Sequence, residues 1–177
     1  MPSEPKIVPP GPPEIGQLNV LHALARDLRG NFIDQAIWID VLITDILSQY
    51  FAPEEGKRGL LTSDVLAGPD VSFSGRINIL KKVVSRSYVT FKNEYPDLFD
   101  KLGKIRRFRN RLAHAHLDTR TDFVAKGHKD RIQIVFYEDG ATKTQIITVE
   151  ESKARLSECS VVMFQLLKLQ ALVADAQ

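Results

Sequence analysis

Between Lys104 and Asp118 the chain reads Lys-Ile-Arg-Arg-Phe-Arg-Asn-Arg-Leu-Ala-His-Ala-His-Leu-Asp. Arginines 106, 107, 109 and 111 and histidines 114 and 116 crowd one helix-length stretch, a density that no soluble core requires. Arginine carries a planar fork of donors that fits phosphate oxygens. Histidine, with an ordinary pKa near 6.5, changes charge around neutrality. From Lys101 to Arg131 there are ten Lys or Arg against three Asp, or +7 in a chain of net charge +2, so the remainder carries about −5. Charge segregated in this way points to an anionic partner, although a solvated basic helix face produces the same count.

Residue order separates the two readings. Arg109-Asn110-Arg111-Leu112-Ala113-His114 sets a polar residue after an arginine and a histidine five positions on. The string resembles the motif of the HEPN superfamily, in which an arginine, usually followed by a polar residue, precedes a histidine across a spacer of four to six residues. His116 also falls within that spacing. Ser72 to Lys82 is similar to the third-helix entry of several HEPN-like families. The pattern extends over about residues 14 to 118; the motif covers only 109 to 114.

That resemblance implies a HEPN-like antiparallel bundle of four to five helices, assembled as a homodimer with its sites in the dimer cleft. Many members are metal-independent endoribonucleases of toxin–antitoxin and defence systems. The implied partners are RNA and a cognate antitoxin, of nucleotidyltransferase type. Arg109, Asn110 and His114 are then the catalytic residues. His114 acts as base or acid toward the 2′-hydroxyl and the leaving oxygen. Arg109 holds the scissile phosphate, and Asn110 positions either one. Arg106, Arg107 and Arg111 bind flanking phosphates, and His116 is an accessory or structural residue.

Length and composition set the frame. The 177 residues, 44% of them apolar, are enough for one sizeable core. The sequence reads as having no apolar run of about 18 residues, so no membrane span is expected, and the proline-rich start is unlike a signal peptide. The lone Cys159 cannot form an internal disulfide, and its apolar neighbours suggest a buried thiol. With one Cys and four scattered His there is no metal-ligand spacing. A cytoplasmic protein needing no metal or cofactor is the expectation.

Residues 1–13, with six of the nine prolines, read as an extended arm before a single domain over 14–177. Ile15, Leu18, Leu21, Leu24 and Leu28 step helically up to Gly30. A second helical run follows, through Phe32, Ala36, Ile39, Ile43, Ile46, Leu47 and Tyr50. Asp34, Asp40 and Asp45 on it are candidate partners for the basic segment, and Trp38 is expected in the core or at an interface. Residues 52–72 read as a loop, with room for a short helix at 60–66. A third helix runs through Phe73, Ile77, Leu80, Val84, Tyr88 and Phe91. Pro96 opens a fourth, which Asp118–Asp122 ends. A β-hairpin is predicted at about 131–149, turning at Glu138–Ala141. Thr148 and Glu151 make a capping box for the last helix.

On the fourth helix the apolar stripe is Leu98, Leu102, Ile105, Phe108 and Leu112. At ~100° per residue His114 lies about 180° from Ile105, while Asn110 is about 40° from His114 and Arg107 shares its face. Arg109 points about 140° from His114 and about 40° from the stripe. One regular helix cannot aim both at a single phosphate: the helix loosens, Arg109 wraps around, or a second chain completes the site. A different class of function stays open. Arg109 could form an internal salt bridge to an aspartate of the second helix while Asn110 and His114 cap the helix end. The chain would then be a non-catalytic regulatory or scaffold protein, similar to the mannitol repressor family with its Arg-Asn-x-x-Ala-His string.

Overall fold

A computed structural model describes residues 12–176 and is mostly helical, with a small three-stranded antiparallel sheet placed before the C-terminal helix. The arm expected over 1–13 falls, for residues 1–11, outside the described residues. Pro12 and Pro13 instead open helix α1, Pro12–Phe51, in a first turn where a missing N–H costs nothing.

Helix α1 passes straight through Gly30, so the two helical runs read on either side of it form one helix and the glycine is no break. A glycine inside a helix costs roughly 0.5–1 kcal/mol. Burial outweighs it. Leu21, Ala25, Phe32, Ala36, Ile39, Ile43 and Ile46 are all buried, and their steps of three and four, with one of seven from Ala25 to Phe32, stay in phase across the glycine. Each fully buried Ile or Phe contributes about 1.5–3 kcal/mol. Pro53 cannot extend the helix, and Arg58 donates to the Ala52 and Pro53 carbonyls just past its end.

Helix α2, Glu55–Leu60, runs into a π-helical turn, Leu61–Leu66. Helix α3, Phe73–Ser87, starts on the Ser72 hydroxyl, which accepts from the Gly75 N–H at 3.1 Å. Arg76 grips Asp40 with two donors, at 2.7 and 2.6 Å, and also donates to the Val71 and Leu66 carbonyls. Asp40 therefore pins α3 to α1 and takes no arginine of the basic segment. Tyr88 breaks the expected third helix, leaving α4 at Val89–Glu94.

Helix α5, Leu98–His114, buries the predicted stripe of Leu98, Leu102, Ile105, Phe108 and Leu112. It begins after Asp97 rather than at Pro96, and it ends at His114, short of Asp118. The Phe108 ring meets Phe32 edge-on at 4.7 Å, and the Arg155 guanidinium lies 3.9 Å from its centroid.

Strand β1, His116–Leu117, pairs with β2, Arg131–Glu138, and β2 pairs along its length with β3, Ala141–Thr148. The hairpin thus gains a third strand from the segment taken for helix. A short helix, α6 at Thr121–Val124, lies between β1 and β2. Asp139 and Gly140, at φ 54° and 76°, are both left-handed, as a two-residue turn with strand-matching twist requires. The Thr148 hydroxyl accepts from Glu151 N–H at 3.0 Å and starts α7, Val149–Asp175.

Residues from α1, α3, α5, β2, β3 and α7 share one buried cluster. Trp38 is outside it, 64% exposed, so of the two places expected for it the core is not the one it takes. Helix α7 is, among the described residues, the one helix long and apolar enough to cross a membrane. Its Cys159, Val162, Leu166, Leu169 and Val173 are instead buried in the fold. Burial pushes the Cys159 thiol up to about 11, so it stays protonated and inert.

Candidate functional site

Three elements bring the site together: the last two turns of α5, the chain reversal after it, and the end of β2. The stripe that buries one side of α5 forces the opposite side outward, which is why Arg107 and His114 are exposed. The helix stops at His114 because Ala115 turns to extended backbone at φ −83°, ψ 149° and is itself buried. Arg29 of α1 donates to the Leu112 carbonyl at 2.7 Å, supplying a donor to the end of a helix whose last carbonyls lack partners.

The reversal is locked by Asp118. Its buried carboxylate accepts from the Arg120 guanidinium at 2.6 Å, from the Arg120 N–H at 3.1 Å and from the Gln133 amide at 2.8 Å. Its own N–H donates to the Gln133 carbonyl at 2.7 Å. Led by the Arg120 bonds, these contacts hold the Asp118 carboxyl below its ordinary range against the opposing effect of burial. The lock sets β2 against α5.

A cleft of about 240 Å³ results, lined by Arg107, Asn110, Arg111, His114, Phe136, Tyr137 and Glu138. Of the residues expected at the site, it gathers Arg107, Asn110, Arg111 and His114. Arg109 is not in the lining. It is half-buried and donates from Nη1 to Asn110 Oδ1 at 3.1 Å, beside the cleft wall. No carboxylate pairs with it among the described residues, so the internal salt bridge of the alternative reading is not formed there. Arg106 is half-buried and also outside the lining. His116 is exposed on β1, opposite Val135. The helix on which it was expected has already ended, and it is apart from the cleft.

Arg111 departs from the phosphate-binding role expected of it, because both Nη groups are engaged within the fold, while its Nε is buried without a partner among the described residues. Nη1 donates to Gln145 at 2.9 Å, Nη2 to Glu138 at 3.3 Å, and its guanidinium carbon is 4.7 Å from the Phe136 ring centroid. Lys143 reaches Glu138 at 3.2 Å and Asp139 at 2.9 Å. Lys143, then Arg111, hold the Glu138 carboxyl below its usual range, so it stays ionised but is neutralised by two cations. Among the described residues no carboxylate pairs with Arg107, the other arginine of the lining, whose guanidinium lies back over Gly103, where a Cβ would be 3.4 Å away.

Phe136, Tyr137 and Glu138 are the lining residues that the motif gave no hint of. The hairpin was legible, but its packing on α5 joins residues more than twenty positions apart, and no local spacing encodes that. Among the described residues no three His, Cys, Asp or Glu side chains converge as a metal-binding group.

The arrangement offers a proton carrier, a fixed amide, a cation and an aromatic wall around one small opening. Comparison with protein-family models, with curated proteins and with solved structures gives no match.

Proposed function

We propose that this chain is a HEPN-like, metal-independent endoribonuclease of a defence or toxin–antitoxin system. The observation that carries the reading is the grouping of His114, Asn110 and Arg107 on one open cleft, with Arg109 held against Asn110 at its edge. His114 takes the 2′-hydroxyl proton, and the 2′-oxygen attacks phosphorus. The bond to the 5′-oxygen breaks, that oxygen takes a proton from water and leaves as a hydroxyl, and His114 returns its proton to the solvent hydroxide. The products are a 2′,3′-cyclic phosphate and a 5′-hydroxyl end. Arginine donors stabilise the charge that builds on the phosphoryl oxygens.

Arg109 stands beside the cleft rather than in it, so a second copy of the chain completes the site in this reading. The test is cleavage of a mixed RNA pool in EDTA by wild type and by His114→Ala, followed by identification of the product ends. The reading requires cyclic-phosphate products that disappear with the substitution.

One observation favours a non-catalytic regulatory or scaffold role like that of the mannitol repressor family. Glu138 stands in the cleft and keeps Arg111 from reaching a phosphate. Absence of cleavage by the wild type would select it.

A further inference from the structure

The cleavage chemistry uses neither aromatic of the cleft lining, and of the two Phe136 is buried while Tyr137 is exposed. Alternation along β2 sends Ile132, Ile134 and Phe136 inward and leaves Tyr137 74% exposed. A bare aromatic ring costs free energy in water, and the described residues leave this one mostly uncovered. Its place is nevertheless fixed. Tyr137 pairs with Thr142 across the hairpin, the left-handed Asp139–Gly140 turn follows at once, and the next residue, Glu138, is clamped by Arg111 and Lys143. The strand thus places Tyr137 in one cleft lining with His114, Asn110 and Arg107. The five ionic groups around it, Arg107, Arg111, Lys143, Glu138 and Asp139, sum to +1.

An aromatic face next to a cation fits one class of ligand, a nucleotide whose base is free to stack while its phosphate meets the arginine. In a duplex the base faces are already covered, and sequence-reading contacts to RNA are accordingly made with unpaired nucleotides. We propose that Tyr137 is a base-stacking platform that restricts this cleft to single-stranded RNA. The inference rests on the RNA-cleaving reading for its site and adds the substrate class. A cleft of about 240 Å³ is below the roughly 300–1,000 Å³ of drug-sized pockets, in keeping with one nucleotide rather than a helix.

The experiment measures binding of a fluorescent single-stranded 2′-O-methyl RNA, which has no 2′-hydroxyl to attack, so binding is read apart from cleavage. Tyr137→Ala should weaken binding about tenfold, the loss of one stacked base, and Tyr137→Phe should bind as the wild type does. An oligonucleotide with abasic positions should bind wild type as weakly as the intact strand binds Tyr137→Ala, and annealing the complement should abolish the Tyr137 effect. Equal binding by wild type and Tyr137→Ala, equal binding of duplex and single strand, or no binding by wild type overturns the proposal. Tyr137-dependent binding without cleavage of ordinary RNA removes the nuclease reading alone. Cleavage without Tyr137-dependent binding removes this proposal alone.

Discussion

Asp118 shows at the residue scale how a side chain outside the cleft governs it. The carboxylate is buried and charged, which is tolerable only because Arg120 and Gln133 surround it with donors. Its folded pKa is below the unfolded one, so its contribution is complete above the ordinary carboxylate range and is lost as pH falls through the depressed value. Asp118→Asn should destabilise the fold by roughly 1–3 kcal/mol at neutral pH, as expected when a buried charge-assisted bond is weakened. The penalty should shrink as the wild type itself protonates in acid. Urea unfolding of both proteins at neutral and acidic pH measures this; a penalty independent of pH would show that the carboxylate charge is not what the lock uses. The order of residues singled out Arg109, Asn110 and His114, but it did not show that Arg109 lies outside the cleft lining that Asn110 and His114 share. Asp118 was not: read as the residue that ends a helix, it closes a strand crossing instead.

At the scale of elements, burial overrides local propensity in the places where the sequence misleads. Gly30 looks like a break, yet the apolar phase runs unbroken from Leu21 to Ile46 and decides for one helix. No atom comes within 4 Å of where a Gly30 Cβ would be. Gly30→Ala should therefore raise stability by about 0.5–1 kcal/mol, read as a higher urea midpoint at unchanged slope; a lower midpoint would mean that α1 needs a bend there. The hairpin and the Thr148 cap were readable because both are local, one set by the Asp139–Gly140 turn and the other by a residue three positions on. Strand β1 was hidden, since two residues carry no period and its pairing to Val135 and Ile134 is long-range. The end of α5 misled for a related reason. His114 to Leu117 keeps helical residue types, while Arg29 and the sheet stop the helix early.

At the scale of the whole molecule, the basic segment meets the sheet at one end of α5, and the cleft there holds His114 while Arg109 remains at its side. A site shared between two copies accounts for both positions. It predicts that His114→Ala and Arg109→Ala, each inactive alone, regain activity when mixed and allowed to exchange subunits. With random pairing in a two-fold dimer, half the dimers hold one intact site of two, so about a quarter of wild-type activity should return. A mixture that stays inactive would place the whole site within one chain.

The central claim is that His114 moves the proton in a metal-free cleavage of RNA. The most direct measurement is the cleavage rate of an RNA pool in EDTA for wild type and His114→Ala purified in parallel. The account predicts 2′,3′-cyclic phosphate ends from the wild type and a rate at least about 100-fold lower for the variant. Equal rates for the two proteins, or no cleavage by either, would contradict it.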